Sequence, residues 1–234
     1  MPACGRPSAR SQGNGLSRFH CRYHVQFKAR HGSHWHPTYR AADLKPYLAA
    51  ARSWLKANAN AFDVRESRVK LEDLLWASRL SDPAMNLRGR SADYRAEVAF
   101  TRLREAGISA DKLMAIYIAV CALIEDDYGS HRTREFRIVQ IAKAVHRLAS
   151  GTHRRWEREE SSRPLELHVY PRSSGFVLRK IGERIERCCE GLKRDAIPRV
   201  IALRTERLGP HPSHLPGWKP AWRGRMPPPR KSSV

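Results

Sequence analysis

The chain has 234 residues and a formal charge of +21, from 44 Lys/Arg against 23 Asp/Glu. A length of this order holds one sizeable core with attached arms, and so strong a positive field selects polyanions, nucleic acid first and an anionic membrane second. Membrane roles are disfavoured, because no apolar run reaches roughly 18 residues and no lipidation or secretory signal is present.

Five cysteines, an odd number with Cys188 and Cys189 adjacent, do not form a disulfide framework and point to a reducing cytoplasm. The positive charge is concentrated at the two ends. Residues 1–40 hold seven Lys/Arg and no acid, and residues 199–234 hold eight Lys/Arg against one Glu. These ends read as arms on a moderately basic body.

The first forty residues also hold five of the eleven histidines. Cys21-Arg22-Tyr23-His24 is a C-x-x-H pair, which lets two side chains grip one ion from the first turn of a helix. A structural zinc site takes four N or S ligands at roughly 2.0–2.3 Å. Cys4, Cys21 and His24 supply three. His31 is the preferred fourth, because His20 adjoins a ligand cysteine and its side chain tends to point away, while His34 and His36 are also in reach. The competing reading is a basic arm with scattered histidines. A structural metal is favoured over a catalytic one, since residues 1–40 contain no carboxylate to act as a base.

The string Cys4-Gly5-Arg6-Pro7, Gly15-Leu16, Cys21-Arg22-Tyr23-His24 and Lys28-Ala29-Arg30-His31-Gly32 resembles a small Cys/His element of phage and bacterial mobile-element proteins. That element includes the DNA-binding parts of some HNH homing endonucleases. The family form carries a further cysteine shortly before the first, which this sequence lacks. The resemblance implies zinc and DNA as partners, with Arg22, Lys28 and Arg30 facing the nucleic acid. The remainder of the chain has a more general likeness to uncharacterised mobile-element proteins.

From Asp43 the pattern turns helical. Pro46 suits a first turn, and Tyr47, Leu48, Ala51, Trp54 and Leu55 share one side of a helix ending near Asn58. Asp63 and Glu66 have the spacing of a capping box opening a second helix, with Leu71, Leu74 and Leu75 inward. Pro83, Asn86 and Gly89 break the chain. Ser91 caps a helix that runs to about Ala106 and stops at Gly107. Ser109 opens the most apolar helix, whose Leu113, Ile116, Tyr117, Val120, Cys121, Leu123 and Ile124 cover more than one face and place it at the centre. Its end, Glu125-Asp126-Asp127, is expected to be an acidic patch facing the basic arms; Mg²⁺ binding, as in a nuclease, is the competing use.

A short link leads to a helix from Thr133 to Ala149. Its expected outward positions are Arg134, Arg137, Gln140, Lys143 and Arg147. With the preceding helix this suggests a helix-turn-helix, although any surface helix of so basic a chain shows such a stripe. A charged linker, 152–164, precedes a short strand at Leu165–Tyr170. Leu178, Ile181, Ile185, Cys188 and Leu192 then form a heptad stripe that serves core packing first and a homodimer or other protein partner second. Residues 210–229 contain seven prolines, and Trp218, Lys219, Trp222 and Arg223 interleave rings and cations as single-stranded nucleic acid requires.

The predicted fold is therefore mainly α: a helical bundle with a small Cys/His N-terminal arm and an extended basic Pro-rich C-terminal tail. The divisions are 1–40 arm, 41–151 helical core, 152–164 linker, 165–198 strand and helix packed on the core, and 199–234 tail. No P-loop, H-E-x-x-H, G-x-S-x-G or HNH core is present. The expected function is non-enzymatic nucleic-acid binding, DNA first, by a cytoplasmic phage or mobile-element protein with a zinc-stabilised arm. The alternatives are a divergent metal-dependent nuclease or recombination enzyme, and a protein that modulates a nucleic-acid-processing machine.

Overall fold

The computed structural model describes residues 20–77, 87, 89–149, 154–158, 161–167 and 175–219. Among these the chain is mainly α, as the patterning predicts. The helices are α1 (Arg22–His31), α2 (Ala41–Ala57), α3 (Phe62–Trp76), α4 (Ala92–Glu105), α5 (Ala110–Asp126), α6 (Arg134–Ala149), α7 (Gly175–Cys188) and α8 (Lys193–Leu208). An antiparallel hairpin of β1 (Arg154–Arg158) and β2 (Ser161–Leu167) lies between α6 and α7. The hairpin occupies most of the expected linker, and the strand begins earlier than the alternation at Leu165 suggests. Residues 168–170, the end of the expected strand, lie outside the described residues.

The central position of α5 follows from its composition. Every residue from Leu113 to Ile124 is buried, with alanines at 115, 119 and 122 letting neighbouring helices approach closely. Ser109 caps it, its hydroxyl accepting from the Lys112 amide at 3.3 Å. Helices α2 and α8 pack on α5 and on each other, while α6, α3 and α7 also touch it. No single helix among the described residues is long and apolar enough to cross a membrane.

Several local expectations change. Helix α2 starts at Ala41, so Pro46 sits beyond its first turn, and the start is held by the Arg40 amide donating to Asp43 at 2.9 Å. Helix α3 is capped at Ala61 with no side-chain bond, and Asp63 contributes only as a negative charge in the first turn. Ser91 does cap α4, accepting from Tyr94 N at 3.2 Å. The heptad stripe does not run through one helix: α7 ends at Cys188 and a 3₁₀ turn, Glu190–Leu192, leads into α8. Leu178, Ile181, Ile185 and Leu192 are all buried in the chain's own core, the core-packing use expected first of this stripe.

Residues 199–208, expected as the start of a tail, instead complete α8 against α2 and α5. Ala196 and Val200 are buried at helical spacing, enough to anchor this basic helix.

Candidate nucleic-acid interface and arm anchors

Helix α1 ends at Gly32, whose φ of 76° is the left-handed conformation that favours glycine. A Cβ there would lie 2.8 Å from the Glu135 carbonyl oxygen and the Phe136 Cα. The arm therefore sits directly on the backbone of α6. Ser33 then folds the chain back, its hydroxyl accepting from the amides of Trp35 (3.2 Å) and His36 (3.0 Å).

This fold brings part of the expected metal set together. Cys21 Sγ lies 3.3 Å from His24 Nδ1. Two ligands at ordinary zinc–sulfur and zinc–nitrogen bond lengths in a tetrahedron stand about 3.6 Å apart, so this pair fits one ion. His20 stacks on His34 with ring centroids 3.6 Å apart, and His20 is 6.4 Å from the His24 ring. Burial and the neighbouring His20 lower the His34 pKa to about 4, keeping its imidazole neutral.

His31 does not belong to this group. It lies seven residues beyond His24, a rise of about 10 Å along α1. Its Nδ1 accepts from the Thr38 amide at 3.0 Å and from the Thr38 hydroxyl at 2.7 Å. Burial, then the charges of Lys143 and Arg30, lower its pKa to about 4. His31 thus fastens the arm through Thr38, while the Cys21/His24 pair lies a turn or more back along α1 beside the His20/His34 stack. Cys4 lies outside the described residues. Among the described residues no group of three or more His, Cys, Asp or Glu is arranged to hold a metal ion.

The α6 stripe is also corrected. Arg137 donates from Nε and Nη2 to Glu186 Oε1 at 3.0 and 2.8 Å, and Arg134 donates to Glu186 Oε2 at 2.7 Å. Gln140 is 3% exposed; its amide donates to the His31 carbonyl (3.0 Å) and accepts from the Tyr39 amide (3.1 Å). Lys143 donates to Thr38 Oγ1 at 2.8 Å, and burial, followed by the charges of Arg147 and Arg30, lowers its pKa to about 8. With α1, α4, α5 and α7 all packed on α6, the central part of this helix cannot enter a DNA groove. Its polar side chains satisfy a buried seam.

Arg134 and Arg147 of α6 are exposed, and further exposed cations lie on α1 and α2. On α1, Arg22 and Arg30 are exposed, whereas Lys28 pairs with Glu135 at 3.0 Å. On α2, the inward positions 44, 47, 51 and 55 leave Lys45, Arg52 and Lys56 along the opposite face, a stripe the sequence reading missed. The signal was present in the same helical period, read for its polar side. None of these three, nor Arg22 or Arg30, meets a carboxylate among the described residues.

The acidic end of α5 does face the arms. Asp127 accepts from Tyr39 OH (2.9 Å) and the Gly129 amide (2.8 Å), with His36 Nε2 3.7 Å away. Burial alone would raise the Asp127 pKa, but the bonds from His36, Gly129 and Tyr39 outweigh it and hold the carboxyl below its usual value. Asp126 accepts from Tyr47 OH at 2.5 Å, and its carboxylate lies 3.3 Å from His214 Nε2. Consecutive residues therefore bind the N-terminal arm and the C-terminal segment to the core. Trp218 and Lys219 extend from that segment, while Trp222 and Arg223 lie outside the described residues.

Cys188 and Cys189 are poor redox candidates, because burial raises both thiols above the ordinary value and keeps them protonated. No protein-family model matches the chain, and no curated protein or solved structure compared with it is detectably similar.

Proposed function

We propose that this is a non-enzymatic nucleic-acid-binding protein, acting on DNA first, whose phosphate-binding surface is formed by the exposed cations of α1 and α2 with the basic arms beside them. The observation that carries the reading is the contrast in pairing. Arg134, Arg137 and Lys143 of α6 are each bonded to groups of the fold, while Lys45, Arg52 and Lys56 stand clear of every described carboxylate along about 16 Å of helix. Such a row suits a phosphate backbone, which contributes affinity without sequence information. The resemblance of the Cys/His segment supports a phage or mobile-element origin, and a cytoplasmic location agrees with buried, protonated thiols at Cys121 and Cys189.

A zinc ion is part of the proposal. Cys21 and His24 would hold it, with a histidine of the His20/His34 stack and Cys4 completing the set. Bound there, zinc would contribute folding energy to the arm. Elemental analysis of protein prepared without chelators should give about one zinc per chain, reduced by Cys21→Ser. A metal-free protein with an ordered arm would remove zinc from the proposal. DNA binding is tested by titration against salt, where log affinity should fall linearly with log salt concentration. Absence of affinity near physiological salt would defeat the reading and leave an acidic protein partner as the use of the charge.

A further inference from the structure

A cavity of about 500 Å³ opens between the start of α2 and the C-terminal segment, with Asp127 in its wall. That volume lies within the range of small-molecule sites. Its walls combine aromatic rings, from Tyr39, Tyr47 and Trp218, with cations, from Arg40, Arg204 and Lys219.

The charges in it are unevenly satisfied. Both oxygens of Asp127 already accept bonds from the wall, so this carboxylate is occupied by the protein itself. Arg204 is different. Its residue surface is 7% exposed, its guanidinium lies 5.5 Å above the Tyr47 ring, and Nη1 donates to the Gly209 carbonyl at 2.6 Å. Its Nε meets no acceptor and no carboxylate pairs with it among the described residues. A buried cation without a counter-charge is costly unless an anion joins it. Lys219, exposed at the rim, adds a second positive charge for the same anion.

The ligand class follows from these demands: an anionic group for Arg204 and Lys219, attached to a flat body that can lie against rings. A nucleoside monophosphate unit satisfies both. Continuity with the α2 stripe argues for a unit within a strand. Lys45, at the N-terminal end of the stripe, stands within one turn of α2 from the cavity residues Ala42, Pro46 and Tyr47. Trp218 lies over Gly129, where even a Cβ would be 2.5 Å from the indole, so its ring is backed by the chain.

We infer that this cavity receives one unstacked nucleotide of the bound strand, its base against Trp218 and the tyrosines and its phosphate on Arg204 and Lys219. The inference rests on the nucleic-acid reading above and specifies what that surface does at its end.

The test uses the full chain and two probes. One is each of the four nucleoside 5′-monophosphates, followed by calorimetry. The other is an oligonucleotide carrying a single 2-aminopurine, whose fluorescence rises when it leaves the stack. At least one monophosphate should bind saturably at one per chain, and Trp218→Ala should weaken it by about 5- to 150-fold, the worth of one base–aromatic stack. Wild-type protein should brighten the 2-aminopurine and Trp218→Ala should not, although the variant still binds the oligonucleotide. Lys219→Glu, at an exposed site that cannot disturb folding, should also weaken the monophosphate. If the oligonucleotide binds while no monophosphate does and the 2-aminopurine stays dark, the cavity inference is overturned and nucleic-acid binding survives. If monophosphates bind in the cavity but the oligonucleotide does not, the site is a mononucleotide site: the strand inference falls together with the nucleic-acid reading.

Discussion

Helices α2 and α6 carry similar cations at similar spacing and use them in opposite ways. On α6, Arg134 and Arg137 meet Glu186, a carboxylate only 6% exposed, and Gln140 and Lys143 hold the arm. On α2, Lys45, Arg52 and Lys56 meet no described carboxylate. The count of Lys/Arg, three on α2 and four on α6, barely separates the two helices. What distinguishes them is which acids and backbone groups the tertiary fold brings opposite.

The sharpest way to break this contrast is Glu186→Ala. It strands Arg137 in a half-buried position, so stability should fall by about 3–5 kcal/mol in urea titration. A loss below about 1 kcal/mol would mean that the α6 charges behave like an ordinary surface pair. Gly32→Ala comes next. It forces a left-handed residue to carry a Cβ and pushes that atom against the α6 backbone, at a cost of about 2 kcal/mol or more. Release of the arm should appear as faster proteolysis between residues 20 and 40.

Replacing Lys45, Arg52 and Lys56 together by Glu should change stability by no more than about 0.5 kcal/mol each. The salt slope for duplex DNA should nevertheless flatten, by up to about 0.9 per lost contact. If the slope is unmoved, the phosphate surface lies elsewhere.

A separate effect is a pH dependence. His31 has a folded pKa of about 4 against an ordinary 6.5, so the unfolded chain takes up its proton first. The stability it contributes is complete above about pH 6.5 and is lost as pH falls towards 4. Amide exchange of residues 33–40 should accelerate across that window, and His31→Gln should reduce the dependence to the part carried by His34.

The contrast also marks what the sequence can disclose. Apolar periodicity placed α2, α4, α5 and α6 well, because burying one face of a helix is a local pattern repeated every turn. Ser91 and Ser109 were legible for the same reason: a cap bonds to its own first turn. The stripe on α6 misled because Arg137 and Gln140 find their partners 49 and 109 residues away. No local pattern reports such a match. The bonds of His31 were hidden for the related reason that Thr38 and Lys143 reach its ring from beyond the helix that carries it. The acidic end of α5, read as facing both arms, was legible from charge alone, but the cavity beside it was not, since its walls come from three separated segments.

The joining of both ends of the chain to Asp126 and Asp127 has a mechanical consequence. Tension drawn through Tyr39 and through His214 reaches these neighbouring anchors before it reaches the packed side chains of α5. The first rupture under load should therefore strip the terminal segments from the clasp, lengthening the molecule while the central helices remain folded.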